Sequence, residues 1–65
     1  MTQAEAILAY LKAGATLTPL EALDRFGCLR LGARCFDLRR KGEPVRSRFV
    51  ATPSGKHVAQ YYYEP

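Results

Sequence analysis

Residues 29–42 read L-R-L-G-A-R-C-F-D-L-R-R-K-G and separate on a helical wheel into an apolar side and a charged side. Leu31, Cys35 and Leu38 recur at the i, i+4, i+7 spacing of one helix face. On the opposite side the pattern places the charged residues Arg30, Arg34, Asp37 and Lys41. It predicts a helix over residues 31–41 whose apolar side packs on a core and whose charged side meets an anion.

Two further helices are predicted upstream, and each begins with a capping box, in which a Thr hydroxyl and a Glu carboxylate bond to free backbone N–H groups. The box T-Q-A-E at residues 2–5 predicts a helix over residues 3–13. The box T-P-L-E at residues 18–21 predicts a second helix over Pro19–Phe26, with Pro at a position where its missing N–H costs nothing. The apolar spacing assigns to the core Ala4, Ile7, Leu8, Leu11, Leu20, Leu23 and Phe26.

The connections between the helices are short. Only residues 27–30 separate the second helix from the third, and a tight turn with Gly at its start is typical of a helix-turn-helix. Residues 15–17 favour a brief edge strand with Leu17 pointing inward, whereas Tyr10 and Lys12 are expected to face solvent or another chain. The small pair Gly32-Ala33 lets another backbone come close, and that backbone can be the second helix or a DNA strand.

From Val45 onward the apolar residues alternate with polar ones, which predicts a strand over Val45–Ala51. The sequence T-P-S-G at residues 52–55 is a turn, and residues 56–63 are expected to return as the partner strand. With Pro53 and Ser54 at the tip, the expected pairs are Phe49 with Val58, Val45 with Tyr62, and Arg46 with Tyr61. This register puts Phe49 inside, and it puts outside Arg46, Arg48, His57 and Tyr61. At least one of the three tyrosines at 61–63 must face the core.

Size and composition exclude several classes of protein. A chain of 65 residues holds one domain with a thin core and leaves no room for a catalytic cleft, so we expect no enzyme and no small-molecule substrate. Cys28, Cys35 and His57 are too few ligands for a structural zinc site, so we expect no metal and no cofactor. The absence of a signal peptide and of an apolar run of ~20 residues predicts reduced thiols, no membrane association and a cytoplasmic protein.

The charge is concentrated in the second half of the chain. Residues 1–24 contain one basic and three acidic residues, whereas residues 25–56 contain nine basic and two acidic residues, a net charge of +7. Arg predominates over Lys, and guanidinium groups bind phosphate oxygens and guanine edges with two hydrogen bonds. The distribution favours a phosphate-binding face; a solvated basic surface that maintains solubility is the alternative.

The chain resembles, over essentially its whole length, a winged helix-turn-helix DNA-binding domain: an α+β fold of three helices with a short strand and a C-terminal β-hairpin wing. The stretch L-R-L-G-A-R-C-F-D-L-R-R-K-G-E-P-V-R-S-R-F-V is similar to the small helix-turn-helix domains of phages and prophages. This resemblance implies double-stranded DNA as the partner, with the third helix in the major groove and the wing on the adjacent backbone or minor groove.

Individual residues are assigned to DNA on this basis. Arg30 and Arg34 are predicted to contact base edges, and Asp37 either accepts a bond from cytosine or, as we favour, holds Arg34 or Lys41 in place. Phosphate contacts are predicted for Arg40, Lys41, Arg46, Arg48, Lys56 and His57. The wing charges have an alternative interpretation as protection of an exposed strand edge against aggregation. Cys35 and Phe36 are assigned to packing.

The expected function is sequence-specific DNA binding by a small transcriptional regulator or a phage recombination accessory factor, in a bacterial or phage-infected cell. One helix and one wing bury only about 600–1,000 Å² of protein surface, so a homodimer on two half-sites about 34 Å apart is expected. The alternative is a winged-helix protein-interaction module, or a small phage-encoded inhibitor, that docks its basic face on an acidic protein.

Overall fold

The computed structural model describes residues 2–65, which form three helices followed by a two-stranded antiparallel hairpin. The helices are α1 (Gln3–Lys12), α2 (Pro19–Phe26) and α3 (Leu31–Arg40), and the strands are β1 (Val45–Ala51) and β2 (His57–Tyr63). This order confirms the predicted α+β winged helix-turn-helix architecture.

The helix ends lie where local sequence signals predict them. Both capping boxes form: Thr2 and Thr18 each accept a hydrogen bond from the backbone N–H of the Glu three residues later, at 3.1 and 3.3 Å, and each Glu carboxylate accepts one from the Thr N–H at 2.9 Å. Gly27 ends α2 with φ +64°, a left-handed conformation that Gly adopts without steric cost. The third helix begins at Leu31 without a side-chain cap.

One apolar cluster holds these elements together. Each helix, the α2–α3 turn, the segment before α2 and β1 contribute to it, and its buried members are Ile7, Leu11, Leu17, Ala22, Cys28, Leu31, Cys35, Leu38 and Val45. The predicted apolar side of α3 is confirmed, because its three residues are almost completely buried. The brief strand before α2 is confirmed as a single bridge, in which Leu17 and Tyr61 exchange two backbone hydrogen bonds of 3.0 and 2.7 Å.

The predicted inner face of α2 is wrong. Leu20 and Leu23 are exposed, at 75% and 43%, and the residue that α2 buries is Ala22, with Phe26 partly buried one turn later. The small Ala22 side chain lets α2 approach the core closely, and at about 100° per residue Leu23 then lies about 100° and Leu20 about 160° from the contact. Tyr10, expected outside, packs edge-to-face on Phe26 with ring centroids 5.5 Å apart.

The hairpin register is one residue away from the predicted one. Val45 pairs with Tyr63 and Phe49 with Ala59, because the loop has three residues, with Gly55 at φ +84°. The Thr52 N–H donates to the Lys56 carbonyl at 2.7 Å and closes this loop. Three-residue hairpin loops commonly end with a left-handed residue, and the two-residue turn assumed from the sequence omits it.

A shift of one residue moves a strand's side chains to the other face of the sheet. Tyr61 therefore lies on the same face as Val45 and packs on the core together with Tyr63, although Tyr61 was predicted outside. Phe49 lies on that face too, but beyond the helices, and is 77% exposed rather than inside. His57 is opposite Ala51 and so lies on the other face from Arg46 and Arg48.

Candidate nucleic-acid interface

The third helix presents three sides besides the buried one. At about 100° per residue, Ala33, Phe36 and Arg40 lie opposite the buried stripe, and we call them the outward side of α3. The charged stripe predicted there lies instead about a quarter turn away: Arg30, Arg34, Asp37 and Lys41. This correction follows from the same helix geometry. The remaining side, with Gly32 and Arg39, faces the hairpin.

The charged stripe is directed toward the start of α1. Arg34, Asp37, Arg40 and Lys41 line an open hollow of about 630 Å³ together with Thr2, Gln3 and Ala4. The Arg34 guanidinium donates to the Asp37 carboxylate at 3.2 Å, and these two side chains are 41% and 47% exposed. Asp37 therefore holds Arg34 in place, which is the role favoured from the sequence. Within residues 2–65 no other ion pair forms.

Lys41, the C-terminal cap of α3, lies near the first turn of α1. A hydrogen bond from the Thr2 backbone N–H lowers the pKa of Glu5 most, and the positive charge of Lys41 lowers that pKa further. No hydrogen bond or ion pair engages the Lys41 ammonium within the described part of the chain. The ammonium group is thus available to an external anion at the end of α3.

Arg40 and Phe36 lie one turn apart on the outward side of α3. The Arg40 guanidinium carbon is 5.9 Å from the centroid of the Phe36 ring, a cation–π arrangement that leaves the guanidinium N–H groups available. Phe36 is 57% exposed, so its assignment to packing is wrong. Wheel geometry could have identified this, because residue 36 lies about 100° from the Leu31–Cys35–Leu38 stripe at its nearest edge.

Arg39 has a structural role. Its Nε donates to the Val45 carbonyl at 2.7 Å, and its NH2 group donates to the Ser47 hydroxyl at 3.4 Å. These bonds join the end of α3 to the first half of β1. On the same side, a Cβ atom at Gly32 would lie 3.3 Å from the Tyr61 hydroxyl, so the small residue there accommodates the hairpin. Of the two partners considered from the sequence, the second helix is not the one that Gly32 accommodates within this domain.

The outer face of the hairpin holds an ordered arginine. Arg48 lies over the Tyr62 ring, with its guanidinium carbon 4.9 Å from the centroid, and its Nε donates to the Gln60 side-chain carbonyl at 3.1 Å. The other guanidinium nitrogens of Arg48 point to no partner among residues 2–65. Arg46 is exposed beside it on the same face. The sequence did not identify Tyr62 and Gln60 as partners of Arg48, because the predicted register placed both on the inner face of the hairpin.

The wing tip and the helix start supply the remaining predicted contacts. Lys56 closes the loop and is exposed, and His57 follows it on the opposite face from Arg48. Arg30 caps α3 with its backbone and is exposed, with no hydrogen bond or ion pair from its side chain in the described residues. The structure therefore brings together Arg34, Asp37, Arg40 and Lys41 around one hollow beside α3, whereas Arg46 and Arg48 share the outer face of the wing.

The two thiols lie in the core. Cys28 and Cys35 are buried and unpaired, and burial raises the pKa of the Cys35 thiol to about 11, so it stays protonated near neutral pH. Among residues 2–65, no three His, Cys, Asp or Glu side chains converge in a way that could hold a metal ion. No helix in this part of the chain has the length and apolar character needed to cross a membrane.

Comparison with known proteins gives a single finding. The family model described as a winged helix-turn-helix domain matches residues 2–63, which includes all three helices and both strands. Neither the curated proteins nor the solved structures give a match. The winged helix-turn-helix is a DNA-binding fold and is typically non-enzymatic. The order of elements, the exposed cations on α3 and the wing, and this match over nearly the whole length agree, and the chain belongs to the winged helix-turn-helix family.

Proposed function

We propose that this protein binds double-stranded DNA in a sequence-specific manner, with α3 in the major groove and the hairpin wing on the neighbouring backbone. The observation that supports this most is how few of the basic side chains are bonded to other groups within the described residues. Of the nine basic residues between 25 and 56, only Arg34 is in an ion pair, and only Arg39 is bonded to the backbone of another element. The other seven are exposed and available to an external partner.

The proposed contacts divide into two kinds. Arg30, at the start of α3, is proposed to contact a base edge, because the N-terminal part of a recognition helix enters the groove. Arg34 is the second candidate for a base, and its bond to Asp37 fixes the direction of its guanidinium. Phosphate contacts are proposed for Arg40, Lys41, Arg46, Arg48, Lys56 and His57.

The proposed biological role is that of a small transcriptional regulator or a phage recombination accessory factor in the cytoplasm of a bacterial or phage-infected cell. A single copy offers one helix and one wing, which is a small surface for tight specific binding. We therefore propose that two copies bind two half-sites about 34 Å apart. A measurement of mass in solution, with and without a two-site duplex, tests this pairing.

A protein partner is the second candidate. The observation that favours it is the exposure of Leu20 and Leu23, which lie one turn apart on α2. Apolar side chains grouped on one helix side are more typical of a protein contact than of a phosphate contact. In this alternative the basic face meets acidic side chains, and duplex DNA does not bind.

Two single substitutions separate base contacts from phosphate contacts. Arg30→Ala is expected to relax the preference at one base position, by roughly 1–3 kcal/mol, in a selection from a random duplex pool. Arg48→Ala is expected to weaken binding to all sequences alike and to reduce the salt dependence by about one phosphate. Equal loss on every base substitution for Arg30→Ala would remove Arg30 from the base-contacting set.

A further inference from the structure

Phe36 occupies an unusual position for an aromatic residue. It lies on the outward side of α3, about 100° from the nearest edge of the buried stripe, and more than half of its surface is exposed. Phenylalanine contributes most to stability when it is buried, and here the fold leaves it exposed on the helix that a helix-turn-helix places in the major groove. The packing of the domain itself therefore does not account for Phe36.

The surroundings of Phe36 indicate what could cover it. Ala33, one turn earlier, is small, so a partner can approach the ring closely along the helix. Arg40, one turn later, lies over the ring at 5.9 Å. Asp37, the acidic residue of α3, is paired with Arg34 on the charged stripe and not with Arg40 beside Phe36. The partner must therefore bring an apolar group and a negative charge to adjacent positions.

The DNA major groove offers this combination. Thymine carries a C5 methyl group on the groove floor, which apolar side chains contact, and the phosphates line the groove edge. We propose that Phe36 is a specificity-determining residue that contacts a thymine methyl group, while Arg40, stacked on the same ring, donates to a nearby phosphate. This inference rests on the proposed function and adds to it the base that the centre of α3 recognises.

The test removes the methyl group and nothing else. Duplexes are selected from a random pool by the wild-type protein, and each dT of the selected site is then replaced singly by dU. At one or two positions, wild-type affinity is expected to fall about fourfold, which is the roughly 0.8 kcal/mol of one buried methyl converted at 1.4 kcal/mol per tenfold. Phe36→Ala should bind the dT and dU duplexes equally.

Matched variants make the result specific. Leu20→Ala removes another exposed apolar side chain, on α2, and should retain the wild-type preference for dT. Phe49→Ala removes the exposed aromatic of the wing and should retain it as well. Because Phe36 is exposed, Phe36→Ala should unfold at nearly the wild-type temperature, so a loss of folding cannot produce the expected result.

Several outcomes would overturn the inference. These are wild-type binding that is indifferent to dU at every position, a preference for dT that persists in Phe36→Ala or disappears in Phe49→Ala, and selected sites without a constant thymine. Each of them leaves DNA binding itself intact. If instead the wild-type protein binds no duplex in a salt-sensitive manner, the proposed function fails and this inference fails with it, so the two failures are distinguishable.

Discussion

Arg39 joins two elements that otherwise touch over a small area. Its hydrogen bonds to Val45 and Ser47 hold the end of α3 against the first half of β1. A hydrogen bond from a charged donor contributes more than one between neutral groups. Of the three consecutive cations at the end of α3, this one therefore acts on stability, whereas no hydrogen bond engages the other two side chains within the described residues.

The Arg39→Ala substitution is expected to lower the free energy of unfolding by about 1–2 kcal/mol. For a domain of this size the melting temperature should fall by roughly 4–8 °C per kcal/mol. Thermal unfolding followed by circular dichroism measures the change. Arg46→Ala, which removes an exposed Arg of the wing, is the matched control and should melt as the wild type does. Identical melting of the two variants would contradict a structural role for Arg39.

Cys35 makes stability depend on pH in the alkaline range. Burial raises the pKa of its thiol from 9.0 in the unfolded chain to about 11, so the folded state retains a proton that the unfolded state loses. The contribution is fully present below pH 9 and is lost as the pH rises toward 11. The advantage of the wild type over Cys35→Ala should therefore shrink by about 2–3 kcal/mol across this range.

Urea unfolding of both proteins at a series of pH values measures this difference. All other ionisable groups are common to both proteins and cancel in the comparison. A difference in unfolding free energy that stays constant from about pH 8 to about pH 11 would contradict the raised pKa.

At the scale of residues, the sequence predicts burial reliably only where several apolar residues fall on the same helix face. The burial of Leu31, Cys35 and Leu38 is predictable because three apolar residues agree on one face. The core assignment of Leu20 and Leu23 depends on only two residues of an eight-residue helix, and tertiary packing through the smaller Ala22 overrides it. The exposure of Phe36 follows from its position on the helical wheel, whereas its apolar character alone favours burial.

At the scale of elements, predictions that depend on local hydrogen bonds succeed. The bounds of α2 follow from Thr18, Pro19 and Gly27, which act within a few residues of each other. The register of the hairpin fails because one left-handed residue, Gly55, adds a third residue to the loop. The strands themselves fit either register by composition, so the sequence alone could not decide between them.

On the wing, the Tyr62 ring holds the Arg48 guanidinium in a fixed position. Tyr62→Leu removes the ring under the guanidinium, and the affinity for duplex DNA is expected to fall by about two- to fivefold, since an exposed cation–π contact is worth about 0.5–1 kcal/mol. Tyr62→Phe keeps the ring and should bind as the wild type does. Fluorescence anisotropy with a labelled duplex measures both affinities.

The same comparison contains its control for folding. Tyr62→Leu should keep the wild-type hairpin, which near-ultraviolet and far-ultraviolet circular dichroism report. If Tyr62→Leu and Arg48→Ala weaken binding independently, so that the double variant shows the product of both effects, the stacking does not order Arg48 for DNA and the coupling is absent.

At the scale of the whole molecule, the concentration of positive charge in the later part of the chain is the feature that the sequence predicts best. Residues 1–24 are net acidic and residues 25–56 carry a net charge of +7, whereas the buried core draws on both parts. The candidate site was predicted only as a set of cations. Its internal bonds, Arg39 to Val45 and Arg48 to Gln60, join residues of different elements or strands and depend on tertiary geometry.

The most direct test of the central claim is a titration of random-sequence duplex DNA with the wild-type protein at ~50 mM and ~200 mM salt. We expect micromolar binding at the lower salt that weakens on the order of a thousandfold at the higher one, as for a protein that neutralises about six phosphates. No binding at ~50 mM salt, or binding that is independent of salt, would contradict DNA recognition by α3 and the wing and would favour an acidic protein partner.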